Sequence, residues 1–168
     1  MRLPVLIVAS SLTLALAACN TTGQPGTGLS AAASGSPAPV EHYDWFLHQD
    51  ASEARLAYGL EESDDLRIGL DCRKNSGRLS LSAVAAEEAP PEIHLESGGD
   101  TERYPAQSEP SEVNDGVFLS AEARASDPVF LRFRRVGWLA VWDGDQRHAY
   151  APHPESQERI ERFFAFCG

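Results

Sequence analysis

Two aspartates and two histidines lie close together near the end of the chain: Asp143, Asp145, His148 and His153. Carboxylates and imidazoles bind divalent ions, so the four are metal candidates. Their spacing matches no strong ligand pattern, and Asp143-Gly144 also reads as a hairpin turn. A second group is Ser97-Gly98-Gly99-Asp100, with His94 three residues ahead of the serine. A serine nucleophile needs a base within hydrogen-bond reach and donors for an oxyanion. Nearness along the chain supplies neither, and Ser-Gly-Gly-Asp is an ordinary turn. Arg132, Arg134 and Arg135 form a basic cluster. Their planar forks suit carboxylate or phosphate groups, so they are candidates for contact with an anionic partner. The alternative is the solvated face of a short helix. Trp45, Trp138 and Trp142 could stack on a sugar. In "WLAVW", however, both faces of the segment are apolar, which favours core packing. No serine-hydrolase, zinc-peptidase, phosphate-loop, dinucleotide or calcium-loop motif occurs. Neither catalysis nor a cofactor is expected.

These residues must be positioned by a largely β framework. Alternating apolar residues mark strands around Tyr43, Trp45 and Leu47, and around Leu56, Tyr58 and Leu60. Leu66 to Cys72 and Arg78 to Val84 read as a hairpin about the polar turn "RKNSG". The acidic stretch that follows is rich in Pro and Gly. A loop of that length is improbable in a compact domain, so at least "EIHLES", with Ile93 and Leu95 inward, is expected to form a strand. Val117 to Ala123 reads as another. Asp127 can cap a helix, Pro128 suits its first turn and Gly137 its end, with Phe130 and Phe133 buried. "GWLAVWDGDQRHAY" reads as a hairpin whose first strand is central and covered on both faces. Ile160, Phe163, Phe164 and Cys167 fall on one face of a terminal helix. The expected class is α+β and β-rich. It is an antiparallel sheet or small sandwich with a short helix at about 128–135 and an amphipathic helix at about 155–166.

The start of the chain points to an address. Leu3 to Ala18 carries no charge, but a run of about sixteen residues falls short of the roughly 20 that a spanning helix needs. Arg2, a short apolar segment and small residues before a cut make a secretory leader. The run ends Leu16-Ala17-Ala18-Cys19, which resembles the lipobox of bacterial lipoproteins. The resemblance implies removal of residues 1–18, a diacylglyceryl group on Cys19 and acylation of the new amine, palmitate being a typical chain. Several acyl chains on one residue hold a protein stably at a membrane. Asn20 in place of Asp resembles the pattern for sorting to the outer membrane. Residues 19–40 read as the lipidated cysteine and a Gly/Ser/Ala/Pro tether without charge, and residues 41–168 as one domain. With Cys19 given to lipid, Cys72 and Cys167 remain as a pair in an oxidising compartment, where a disulfide is expected. Two buried free thiols are the alternative. Closing about 95 residues stabilises by roughly 4–5 kcal/mol in the loop-entropy account.

A formal charge of −11 disfavours nucleic acid as a partner and leaves cationic partners open. A strand with a cysteine, a polar turn, a second strand and a closing helix ending "FFAFC" together resemble small Gram-negative envelope proteins. That likeness implies no activity. The expected role is an envelope lipoprotein of the outer membrane, facing the periplasm, with a binding or maintenance function and an envelope protein as possible partner. The alternative is an inhibitor or chaperone-like binder of a periplasmic enzyme. The architecture is similar to that of small lipid-anchored lysozyme inhibitors, without their signature residues.

Overall fold

The computed structural model describes residues 36–112 and 115–168. Cys19 and the expected leader lie outside them, as does most of the expected tether. Among the described residues nine strands form one antiparallel sheet in the order β1-β2-β3-β4-β7-β6-β5-β8-β9. They are β1 (Tyr43–Gln49), β2 (Glu53–Leu60), β3 (Leu66–Arg73), β4 (Arg78–Ala85), β5 (Glu92–Ser97), β6 (Asp100–Pro110), β7 (Val117–Arg124), β8 (Leu139–Asp143) and β9 (Gln146–Tyr150). Helix α1 (Pro128–Val136) follows β7, and α2 (Gln157–Cys167) closes the described chain after a short 3-10 turn at Pro154–Ser156. The class is α+β and β-rich, and the sheet is nearly closed.

The alternation of apolar residues explains which side is inside. Leu56, Ile68, Leu70, Leu79, Leu81, Leu119, Ile93 and Leu95 all face inward and are buried. The curved sheet leaves a volume that its own side chains do not fill, and the two helices supply the aromatic filling. Helix α1 rests on β5 and β6, and α2 on β1 and β2. Phe130, Phe133, Phe163 and Phe164 are buried, and Phe133 meets Trp45 at 4.9 Å and Phe164 at 6.0 Å between ring centroids. Each such ring contributes about 1.5–3 kcal/mol by leaving water.

The acidic stretch holds the expected strand, β5, and a second one, β6, that the sequence did not specify. Among the eleven residues of β6 only Tyr104 is buried, with Ala106 packed against the core. Residues 100–105 pair with β5 and residues 106–110 with β7. Each half therefore has one strand partner, and Pro105 and Pro110 are tolerated because a proline needs only a side of the strand that lacks a ladder. Another difference concerns β8. It lies second from the end of the sheet, between β5 and β9, and not centrally. It is nevertheless covered on both faces, since Leu139 and Val141 join the main core while Trp138, Ala140 and Ala151 form a separate buried cluster.

Helix α1 begins at Pro128 and ends at Gly137, which is left-handed at φ 81° and donates its N–H to the Phe133 carbonyl at 2.8 Å. Asp127 stands at the N-cap position, yet its side chain makes no cap bond. Its Oδ2 accepts from the Arg124 N–H at 2.9 Å and from the Tyr104 hydroxyl at 3.2 Å instead. At the other helix, Cys167 forms a disulfide with Cys72, with Cα atoms 5.8 Å apart. The β3–β4 turn adds two bonds, Asn75 N–H to the Phe166 carbonyl (3.0 Å) and Gly77 N–H to the Cys167 carbonyl (2.8 Å). These satisfy carbonyls that a helix end leaves open.

The seam between β1 and β9 is closed by side chains and not by a ladder. Trp45 Nε1 donates to the Tyr150 carbonyl at 3.3 Å, and Tyr58 stacks on Tyr150 at 4.6 Å. Burial pushes the phenols of Tyr58 and Tyr150 up to about 12. On the outer edge of β1, Asp44 accepts from Trp45 N–H at 2.8 Å, His153 N–H at 3.2 Å and the Ser156 hydroxyl. Arg159 donates to the Trp45 carbonyl at 2.9 Å. This edge is therefore blunted against pairing with another chain.

Candidate functional site

The structure separates most of the residues that the sequence placed together. Asp143 and Asp145 flank the β8–β9 turn, and Asp143 Oδ2 accepts the Ala86 N–H at 3.4 Å. His148 is exposed on β9, and His153 places Nε2 3.2 Å from the Val40 carbonyl. These four do not converge, and no group of three or more His, Cys, Asp or Glu among the described residues could hold a metal ion. Ser97 faces inward with Ile93 and Leu95, while His94 lies on the opposite face, as period two requires. The Ser97 hydroxyl is buried and donates to the Trp138 carbonyl at 2.8 Å. That pair therefore makes no nucleophile.

The arginine cluster is split. Arg132 turns toward the β5–β6 turn, donating to the Ser97 carbonyl (2.7 Å), the Asp100 carbonyl (3.3 Å) and Glu102 Oε1 (3.3 Å). Its side chain is only 15% exposed, so it braces the fold and is not presented to a partner. Arg134 lies over the Phe164 ring at 5.5 Å, and both Arg134 and Arg135 are exposed. The tryptophans are divided as well: Trp45 is in the main core, whereas Trp138 and Trp142 lie near β9 on the outer face.

That outer face carries a cluster the sequence did not reveal. Glu96 is buried and accepts from Trp142 Nε1 (2.8 Å), Arg147 Nε (2.8 Å) and Arg147 Nη2 (3.0 Å). The Arg147 hydrogen bond, followed by that of Trp142, holds its carboxyl below the usual range against the opposing effect of burial. Arg147 also covers the Trp138 ring at 5.0 Å. His94 stacks on Trp142 at 5.9 Å. Its Nε2 is buried and has no hydrogen-bond partner among the described residues. Burial first, and then Arg103, lower its pKa, which favours the neutral ring.

Of two concavities, only the smaller touches this cluster. The wider, about 740 Å³, is an open groove on the outer face of β2, β3, β4 and β7. Cross-strand ion pairs line it: Arg55 with Asp71 at 3.1 Å, Arg73 with Glu53 at 3.4 Å and Arg78 with Glu122 at 3.4 Å. Next to the groove, on β3, Gly69 lets the Arg55 guanidinium lie close to the backbone, since a Cβ there would stand 2.8 Å from Arg55 Nη2. Burial raises the pKa of Asp71, with Arg55 opposing. The smaller, about 250 Å³, lies between the β4–β5 loop and the β8–β9 turn, with His94, Arg103 and Trp142 in its wall. The first suits an extended, charged surface and the second a small group. Among the described residues no helix is long and apolar enough to cross a membrane. Comparison with known protein families, curated proteins and solved structures finds no match.

Proposed function

We propose that the chain is the precursor of an envelope lipoprotein. Residues 1–18 are its leader, Cys19 carries the lipid, residues 20–40 form a tether, and the domain from residue 41 serves binding or envelope maintenance rather than catalysis. Its place is the outer membrane, facing the periplasm. The observation that carries this reading is the Cys72–Cys167 disulfide. It is the bond expected in an oxidising compartment, and of three cysteines it leaves Cys19, the one in the lipobox-like sequence, for acylation. A tether raises the local concentration of the domain near membrane partners. Cells fed an alkyne-tagged fatty acid test the anchor. The wild-type chain takes the label in the membrane fraction, and Cys19→Ala loses both label and membrane association. Label that persists on the variant overturns the reading.

The charged outer groove favours a second reading, in which the domain binds a periplasmic enzyme as an inhibitor or chaperone. A photo-crosslinking residue at Ser80, which lines the groove, then yields one defined adduct in intact cells. The same residue at Glu161, on the exposed side of α2, yields none. Equal adducts from both positions count against the groove.

A further inference from the structure

We propose that the cavity between the β4–β5 loop and the β8–β9 turn is a binding site for an organic ammonium group. The chemistry of its wall selects this class. Three carboxylates, Glu92, Asp143 and Asp145, stand against one guanidinium, Arg103, so an anion is repelled. Arg103 is already paired with Glu92, which leaves side chains that mainly accept hydrogen bonds. A sugar or other polyol needs donors as well as acceptors. A bare divalent ion needs several ligands at one point, and no such group exists among the described residues. A cation rich in N–H donors meets the wall on its own terms.

Two further observations point the same way. Trp142 lines the cavity, an indole is the best aromatic partner for a cation, and Glu96 holds its Nε1 at 2.8 Å so that the ring is set before a ligand arrives. His94 Nε2 is buried without a partner among the described residues. When its ring turns about the Cβ–Cγ bond toward the ligand, this nitrogen gains a hydrogen bond that the free protein lacks. At about 250 Å³, the cavity lies below the roughly 300–1,000 Å³ of drug-sized sites, which suits an alkylammonium head. The charge of −11 draws cations toward the molecule. The same group is carried by a free diamine and by a lysine side chain of a basic protein.

The test uses the full chain in detergent with ¹⁵N-labelled tryptophan. It is titrated with butylammonium chloride, with 1-butanol as the neutral isostere, with 1,4-diaminobutane and with an acetylated lysine methylamide. The Trp142 indole signal shifts saturably with the ammonium compounds and not with butanol. Asp145→Asn and His94→Gln each weaken binding roughly fivefold or more. Tighter binding of the lysine compound assigns the site to a protein side chain, and tighter binding of the diamine assigns it to a free amine. No saturable shift with any ammonium compound, an equal shift with butanol, or unchanged affinity in the variants overturns the proposal. Near-UV circular dichroism checks the fold. Should His94→Gln fail to fold, Asp145→Asn decides alone, because Asp145 is an exposed turn residue.

Discussion

Glu96 anchors the end of the sheet through three hydrogen bonds to Trp142 and Arg147. Replacing it with alanine leaves an indole N–H and a guanidinium without their acceptor, at an expected cost of about 2–4 kcal/mol in urea unfolding. The pH dependence follows from its lowered pKa. The stabilisation is complete above the ordinary value of 4.5 and is lost as pH falls through the lower folded value. Glu96→Gln therefore flattens the stability profile below about pH 4.5. His94 acts in a different window. Its folded pKa also lies below the ordinary 6.5, so protons bind the unfolded chain better and stability declines as pH drops below that value. Arg103 on β6 and Glu92 and Glu96 on β5 set its field. His94→Asn should flatten the profile between about pH 7 and 5, and an unchanged slope would refute this account. None of this was legible in the sequence. Glu96 and Arg147 are 51 positions apart, and only the register of β5, β8 and β9 brings them into contact.

At the scale of elements, α1 shows how far local signals reach. Asp127-Pro128 and Gly137 mark its ends, and the observed helix runs one residue beyond the expected bound. Gly137 is required by its backbone conformation, φ 81°, whereas the Gln157 amide 2.3 Å from the position of a Cβ is a flexible side-chain end that can swing aside. Gly137→Ala is expected to lower stability by about 1–2 kcal/mol, measured as a fall in the urea midpoint with the slope unchanged. The strand β6 marks the limit of such reading. Its side chains are mostly polar and exposed, so it lacks the alternation that betrays a half-buried strand. What holds it is backbone pairing, first with β5 and then with β7. The Asp127 carboxylate makes the same point, since Tyr104 and the Arg124 N–H, brought close by the fold, take it from the helix end it was placed to cap.

For the whole molecule, the decisive link is the disulfide that ties α2 to β3 across 95 positions. Cys72→Ser with Cys167→Ser should lower unfolding free energy by roughly 2–5 kcal/mol, less where the turn bonds from Asn75 and Gly77 keep the helix seated. A denatured, unreduced sample of the wild-type domain should titrate neither thiol, and free thiols at both positions would exclude the bond. The sequence by itself determined the class of the fold, the existence of nearly every element and the inward residues. These depend on periodicity, turn residues and caps, all of which act within a few positions of the chain. The proposed address rests on the lipobox-like run ending at Cys19 alone, and that residue lies outside the described residues. Tertiary structure alone decided the strand order, the partner switch within β6, the removal of Arg132 from the surface and the assembly of His94, Glu96, Trp142 and Arg147. Those depend on which distant strands lie side by side, and a contact between residues far apart in sequence leaves no periodic trace in either partner.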